Sequence, residues 1–190
     1  MQIQKGYSDV LDEHNTLFSK LYEIASDVIK AAELIVNTLK TGNKILICGN
    51  GGSASDAQHL ASELVGRFEK ERKALPAIAL TTDTSIITAV GNDYGFNTIF
   101  SRQVEGLGVA GDTLIGISTS GNSRNVILAM EAARKRGLKS IGLLGNDGGA
   151  LASKCNLEVI VPHSVTARIQ EAHIFVIHFW AACVEKQLIR

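Results

Sequence analysis

The chain has 190 residues, of which 45% are hydrophobic and only 2 are prolines, so we interpret residues 1–190 as one domain with a full core. Its 19 basic and 19 acidic residues cancel, so no charge excess predicts binding to nucleic acid or to a membrane surface. Three widely spaced cysteines argue against a disulfide framework and predict a reducing, cytoplasmic location. We see no apolar signal segment at the start of the chain, and the longest apolar run is too short to span a bilayer.

Apolar periodicity predicts helices at both ends of the chain and a sheet between them. Apolar residues recur at helical spacing from Leu11 through Leu39, which predicts a long helix within residues 1–40. Five short apolar runs then alternate with segments long enough for crossover helices, so we expect a parallel sheet covered by helices. These runs are Lys44–Cys48, Pro76–Leu80, Thr113–Ile117, Ser140–Leu144 and Glu158–Val161.

Two of these runs end in loops that are rich in glycine and hydroxyl groups. Gly49-Asn50-Gly51-Gly52-Ser53 follows the first run, and Ser118-Thr119-Ser120-Gly121-Asn122-Ser123 follows the third. Outward-pointing N–H groups at a helix start, together with hydroxyls, bind phosphate oxygens. The second of these loops has neither a P-loop lysine nor the dinucleotide glycine spacing, so the ligand that it indicates is a small phosphorylated molecule. A turn without a ligand is the alternative for each loop.

The helix after the first loop carries His59 and Glu63 one turn apart, on the side opposite its apolar face. This spacing suits metal ligation or proton transfer, although a solvated pair is the more common outcome for such residues. The last helix, from Arg168 to about Leu188, offers Gln170 and His178 on one broad side. They could converge on one ligand, or a histidine there could be a core residue bonded to a carbonyl.

The last helix is apolar on almost every side, so its own sheet can cover only part of its surface. We therefore expect an oligomer in which this helix, and the amino-terminal helix as a second contributor, pack on neighbouring subunits.

The motifs C-G-N-G-G-S-A-S-D-A-Q-H-L-A-S-E-L, G-N-D-Y-G-F, G-I-S-T-S-G-N-S and T-A-R-I-Q-E-A-H-I-F-V-I-H resemble those of the sedoheptulose 7-phosphate isomerases, single-domain members of the sugar isomerase (SIS) superfamily. The resemblance runs from about Lys44 to the carboxyl terminus. It implies a three-layer α/β fold with a five-stranded, flavodoxin-like parallel sheet, a homotetramer with sites between subunits, and a phosphosugar substrate. The implied reaction converts a ketoheptose 7-phosphate to D-glycero-D-manno-heptose 7-phosphate through an enediol, the first step towards heptose for lipopolysaccharide core or other surface glycans.

The resemblance also implies roles for particular residues. It makes Glu63 and His178 the acid–base pair, although the same two side chains belong to the implied zinc site and the two roles compete. The implied zinc ligands are His59, Glu63, Gln170 and His178. The implied substrate contacts are Asn50, Gly51, Gly52, Glu63, Asn92, Asp93, Ser118, Thr119, Ser120, Ser123 and Gln170.

One position departs from the resemblance, because some members carry an aspartate where this chain has Ala167. A non-catalytic alternative also stands beside the enzyme, since a relative in the same superfamily is a tetrameric scaffold that binds the bacterial replication initiator. The retention of Glu63, His178 and an intact serine-rich loop favours the enzyme.

Overall fold

A computed structural model of the chain describes residues 2–188. Five parallel strands form one sheet in the order β2-β1-β3-β4-β5, which is the flavodoxin-like order. The strands are β1 (Ile45–Gly49), β2 (Ala77–Ala79), β3 (Thr113–Ser118), β4 (Lys139–Gly145) and β5 (Leu157–Val161). All five apolar runs named above are therefore strands, with ends shifted by a residue or so.

Within residues 2–188, seven α-helices accompany the sheet. They are α1 (Gln2–Lys20), α2 (Ala25–Lys40), α3 (Gly52–Val65), α4 (Thr84–Tyr94), α5 (Ile99–Leu107), α6 (Arg124–Lys135) and α7 (Thr166–Leu188). Buried side chains of α2, α3 and α7 pack on one face of the sheet, and those of α5 and α6 pack on the other. The result is the three-layer α/β sandwich that the sequence predicts.

The amino-terminal segment differs from the single long helix expected within residues 1–40. A 3-10 turn at Leu21–Ile24 separates α1 from α2. The turn lets α1 and α2 pack on different elements. Leu17 of α1 packs with Ile169 of α7, whereas Ile35 of α2 is buried in the core on the sheet. The apolar stripe continues through both helices, so periodicity alone does not reveal the break.

Three further features bear on location and on the site. None of the helices between residues 2 and 188 is long and apolar enough to cross a membrane. Cys48, Cys155 and Cys183 are free thiols. A loop of residues 66–76, which we call the α3–β2 loop, follows α3 and folds back against α7.

The sheet order fixes where a ligand can bind. In an order of this kind, the crevice lies at the carboxyl ends of the two strands from which the chain proceeds in opposite directions, here β1 and β3. Gly49 at the end of β1 is paired with Ile117 near the end of β3. The glycine-rich loop and the serine-rich loop therefore emerge side by side.

Candidate active site

Helices α3 and α7 bring the two predicted halves of the polar cluster together. The Nε2 atom of His59 on α3 lies 3.0 Å from the Nε2 atom of His178 on α7. The same His59 nitrogen lies 3.1 Å from Oε1 of Glu63, one turn further along α3. The pair on α3 thus contacts α7 and forms a chain of three contacting groups, Glu63–His59–His178. The contact with His178 distinguishes the pair from an isolated surface pair, while the His59 side chain remains 41% exposed.

The contacts constrain the protonation of this cluster. Two ring nitrogens 3.0 Å apart form a hydrogen bond only when one donates and the other accepts, so at least one of His59 and His178 presents a lone pair. The aromatic ring of Phe68 lies against His178, with the ring centroids 5.5 Å apart. The side chain of Glu63 is 18% exposed, which leaves its carboxylate within reach of a small molecule. A carboxylate and two imidazoles in contact can accept and donate protons, which is what proton-transfer catalysis requires.

Gln170, one turn into α7, lies against the start of α3. A Cβ at Gly52 would collide with the Gln170 amide as it is placed here, so the Gln170 side chain would have to move if any larger residue replaced this glycine. Gln170 and His59 line a common cavity of about 520 Å³. The cavity is lined by Ser55, Asp56, His59, Ala167, Gln170, Glu171 and Ile174. The methyl group of Ala167, where some relatives carry an aspartate, therefore forms part of this wall.

Asp56 belongs to the same cavity but was not among the residues predicted from the sequence. Burial raises its pKa to about 6, although the nearby His59 acts in the opposite direction. One carboxylate oxygen, Oδ2, is buried and has no hydrogen-bond partner within residues 2–188. Asp56 precedes His59 by three residues on α3, and this spacing is the signal in the sequence that would have placed it on the same face.

The serine-rich loop has the geometry of an anion cradle. Ser118 and Ser123 hydroxyls lie 3.0 Å apart across it, and Ser123 is the residue that precedes α6. Gly121 has a φ of +65°, and a Cβ there would collide with the carbonyl of Gly148. The loop thus depends on glycine at this position, and it directs hydroxyls and the amino end of a helix toward one region.

A second cavity of about 630 Å³ adjoins this loop. It is lined by Ser120, Asn122, Asn146, Asp147, Pro162, His163 and Ser164. His163 was missed by sequence reasoning, although its place just after β5 puts it at the carboxyl edge of the sheet where ligands bind. Its Nδ1 accepts a hydrogen bond of 3.0 Å from the Val165 amide.

Asn50 and Asn125 tie the two loops together. Each amide donates to the carbonyl oxygen of the other, with distances of 2.9 and 2.8 Å. The predicted role of Asn50 as a sugar ligand must therefore use what this reciprocal pair leaves available, namely the second hydrogen of the Asn50 amide nitrogen and the second lone pair of its oxygen. Gly51, with a φ of +56°, lies between this pair and α3.

Asn92 and Asp93 are the predicted residues that the single chain does not bring to the cluster. They are exposed near the end of α4, and the Asn92 amide donates to Asp93 at 2.8 Å. Within residues 2–188 they form no hydrogen bond with the serine-rich loop or the histidines.

His173 on α7 is the core histidine of the kind described above as the alternative. It is fully buried, and Nε2 donates to the carbonyl of Leu144 at 3.0 Å. Desolvation lowers its pKa to about 4, against the effect of that hydrogen bond. His173 is therefore neutral at pH 7 and lies in the core, away from the cluster.

The donor set can be tested against zinc. Ligands of a tetrahedral zinc ion lie roughly 3.4 Å apart at ordinary bond lengths. The separations of 3.0 and 3.1 Å around His59 Nε2 are close to that spacing, and imidazole and carboxylate are zinc-ligand types. Nevertheless, no group of three His, Cys, Asp or Glu side chains within residues 2–188 already surrounds one metal position. The residues fit zinc in kind, and a complete ligand shell needs side-chain movements from the arrangement described here.

A switch-point crevice, a serine-rich anion cradle and a histidine–carboxylate cluster define a phosphosugar-binding domain of the sugar isomerase class, and the family model described as the SIS domain matches residues 11–145. The chain is 57% identical over 187 residues to the phosphoheptose isomerase of Trichlorobacter lovleyi, covering 98% of this chain and 95% of that protein. It is 55% identical over 175 residues to the phosphoheptose isomerase of Nitratiruptor sp., covering 92% and 94%. Within the SIS-domain proteins, the chain belongs to the phosphoheptose isomerase family.

Solved structures show the same similarity in three dimensions. The phosphoheptose isomerase of Neisseria gonorrhoeae matches with a TM-score of 0.92 and 46% identity, covering 97% of this chain and 99% of that one. The phosphoheptose isomerase of Francisella tularensis matches with a TM-score of 0.88 and 39% identity, covering 95% and 98%. The fold and the enzyme family expected from the sequence are therefore confirmed.

Proposed function

We propose that this chain isomerises sedoheptulose 7-phosphate to D-glycero-D-manno-heptose 7-phosphate. Two lines support the proposal: the family to which the chain belongs, and a polar cluster next to a switch-point crevice. The observation that carries it is the contact chain Glu63–His59–His178, because it supplies a carboxylate and imidazoles at one place. The relatives named above are phosphoheptose isomerases, and none supports the scaffold alternative. A non-catalytic scaffold would need none of these groups.

The serine-rich loop would hold the phosphate group. Ser118, Thr119, Ser120 and Ser123 offer hydroxyls, and the amino end of α6 offers backbone N–H groups to the same oxygens. Binding at this distant group orients the other end of the sugar, which is how energy gained away from the reacting carbons accelerates the reaction.

The reaction itself is a proton transfer between neighbouring carbons. A base takes a proton from C1 of the ketose, the electrons form the enediol double bond, and a proton is returned to C2 as the C1 oxygen becomes the aldehyde. We assign Glu63 as the group that moves the carbon-bound proton. His178 exchanges protons with the sugar oxygens, and the neighbouring His59 orients it through the 3.0 Å contact.

Zinc is the proposed cofactor, with His59, Glu63, Gln170 and His178 as ligands. The donor types and the spacing around His59 Nε2 support this assignment. When bound, the ion would stabilise negative charge on the sugar oxygens. Neither Glu63 nor His178 can hold a metal and move a proton with the same lone pair. One of the two Glu63 oxygens would serve each role, whereas Nε2 of His178 would serve either the metal or the proton exchange at a given moment.

The remaining substrate contacts are proposed for Asn50, Gly51, Gly52, Gln170, Asn92 and Asp93. Because Asn92 and Asp93 are exposed and form no hydrogen bond with the cluster within residues 2–188, we assign their role to a site completed between subunits of a homotetramer. An apolar groove of about 410 Å³ between α1, α2 and α7 supports such an assembly. Phe175 in its wall is 48% exposed. Replacement of Phe175 by glutamate should dissociate the assembly in sedimentation measurements.

A phosphorylated heptose is a charged intermediate that does not cross membranes, so we place the enzyme in the cytoplasm, upstream of activated heptose for lipopolysaccharide core or other surface glycans.

The direct test of the proposed activity is incubation of the purified protein with sedoheptulose 7-phosphate while the aldoheptose phosphate is followed by NMR. Product is expected. A correctly folded and assembled protein that gives no product with or without added zinc would contradict the proposal.

A further inference from the structure

A buried carboxylate near the end of α7 anchors the α3–β2 loop. Glu185 accepts hydrogen bonds from three consecutive backbone amides of that loop, those of Phe68 at 2.9 Å, Glu69 at 3.0 Å and Lys70 at 3.0 Å. Arg72 Nε lies 3.3 Å from Oε1 of the same carboxylate, and both side chains are almost fully buried. One side chain of α7 thus holds most of the tip of the loop.

The carboxylate of Glu185 is held in its charged form. Desolvation raises its pKa, but the three amide hydrogen bonds and the Arg72 charge outweigh that effect, so the pKa lies below its ordinary value. A buried charge is costly and requires good geometry from all of its partners. The loop is therefore fixed relative to α7 at one defined position, and slippage would leave the charge without its donors.

The loop held in this way contacts two residues of the proposed site. Phe68 lies against the ring of His178, with 34° between the ring planes. The guanidinium of Arg72 donates to the carbonyl of Leu64 at 2.8 Å and also to the carbonyl of Glu63. The same loop therefore reaches both the imidazole on α7 and the end of α3 that carries the carboxylate.

The register of α7 completes this arrangement. Glu185 follows His178 by seven residues, about two helical turns, so the two side chains lie on the same face of the helix. Glu185 therefore fixes the backbone of Phe68, and the ring of Phe68 limits the rotation of the His178 imidazole.

We propose that Glu185 is a positioning residue that acts through Phe68 and Arg72 to hold His178 and Glu63 in their reactive arrangement. The proposal rests on the roles assigned to His178 and Glu63 above. Glu185 itself does not touch the substrate, so its loss lowers the rate of the chemical step and leaves the affinity of the serine-rich loop for phosphate nearly unchanged.

Asp112 provides a matched control. It is also fully buried, and it accepts hydrogen bonds from the amides of Lys44 at 3.0 Å and Val109 at 2.9 Å and from the Lys44 ammonium at 2.6 Å. It precedes β3 and thus lies at the amino-terminal ends of the strands, whereas the candidate site lies at their carboxyl ends. Asp112→Asn thus removes a charge from a similar cradle without touching the α3–β2 loop.

The test compares the variants Glu185→Gln, Phe68→Leu and Asp112→Asn with the double variant of the first two. Glu185→Gln and Phe68→Leu should each lower kcat about tenfold with KM within twofold, because small displacements of reacting groups are costly. The double variant should be no slower than the worse single variant, since both changes break one path. Asp112→Asn should lower Tm by a similar amount to Glu185→Gln and leave kcat unchanged.

Wild-type kcat in Glu185→Gln or in Phe68→Leu would overturn the proposal, as would additive losses in the double variant or an equal loss in Asp112→Asn. If Glu185→Gln does not fold, Phe68→Leu alone decides, because its kcat either falls at constant KM or stays at the wild-type value. The variant His178→Gln in the same assay separates a failure of the role proposed for His178 from a failure of the role proposed for Glu185. An active His178→Gln would refute the role of His178, whereas an inactive His178→Gln beside a fully active Glu185→Gln would refute only the role of Glu185.

Discussion

His59 and His178 face each other with their Nε2 atoms 3.0 Å apart, at the contact between the third and the last helix. A hydrogen bond between these two nitrogens needs one ring to donate and the other to accept. The space between them suits either one proton or one cation.

Replacement of Glu63 or His178 by glutamine should remove catalysis and keep the fold. Each change deletes a proton-transfer group with little change in volume, so kcat should fall by about 10²- to 10⁴-fold. Steady-state kinetics combined with thermal unfolding and sedimentation would check this. Gln58→Ala, an exposed change on the same helix, serves as the control. A Glu63→Gln enzyme with the wild-type rate would refute the role of Glu63.

Removal of zinc should lower both activity and thermal stability. A metal that binds only the folded protein stabilises it by mass action, so Tm should rise with added zinc in the wild type and not in His59→Gln. Elemental analysis should give one zinc per subunit in the wild type. A chelated protein that contains no metal, keeps full turnover and shows no response of Tm to zinc would refute the zinc proposal and leave the isomerase assignment intact.

Gly121→Ala should damage the serine-rich loop. The residue has a φ of +65° and contacts Gly148 closely, so an alanine is strained and the loop must move. We expect a loss of more than about 1 kcal/mol in stability and a rise of at least about tenfold in KM. Gly106→Ala in α5 is the matched control, because it meets no atom within 4 Å and should stabilise its helix. Equal KM values in the two variants would count against the loop as the phosphate site.

His173 should make the metal-free protein lose stability in mild acid. Its pKa is about 4 in the folded state and near 6.5 when unfolded, so below pH 6.5 the unfolded chain binds the proton first. Stability should therefore fall as the pH drops from about 6.5 to 4, by at most about 3 kcal/mol from this group.

Urea unfolding at several pH values tests the contribution of His173. The His173→Gln variant should show a shallower fall over the same window, and His163→Gln, near the surface, should keep the wild-type slope. Parallel curves for His173→Gln and the wild type would show that another group causes the acid loss.

The sequence predicts the sheet well because its signals are local. Buried parallel strands are continuous apolar runs, and the loops after β1 and β3 carry glycine and hydroxyl residues at the positions where the crevice forms. The break at Leu21–Ile24 has no such signal, because neither glycine nor proline marks it and the apolar stripe continues through it. Only packing against α7 and the sheet decides where the helix ends.

The candidate site divides in the same way. His59 and Glu63 could be paired from their spacing, but their contact with His178 depends on how α7 crosses α3, which no local pattern encodes. Asp56 and Glu185 look like ordinary charged residues in the sequence. Only their surroundings in the fold distinguish them. Asp56 has a buried oxygen that lacks a partner within residues 2–188. Glu185 is buried and accepts hydrogen bonds from three backbone amides.

Reaction in deuterated water tests the central claim, that this site moves a proton between the two carbons, most directly. The wild-type enzyme should convert sedoheptulose 7-phosphate to an aldoheptose phosphate that carries deuterium on C2, because the proton on the base exchanges with solvent before it is returned. Glu63→Gln should form no product and should not exchange the C1 proton of the substrate. Product that contains no deuterium, or undiminished C1 exchange in Glu63→Gln, would contradict the account.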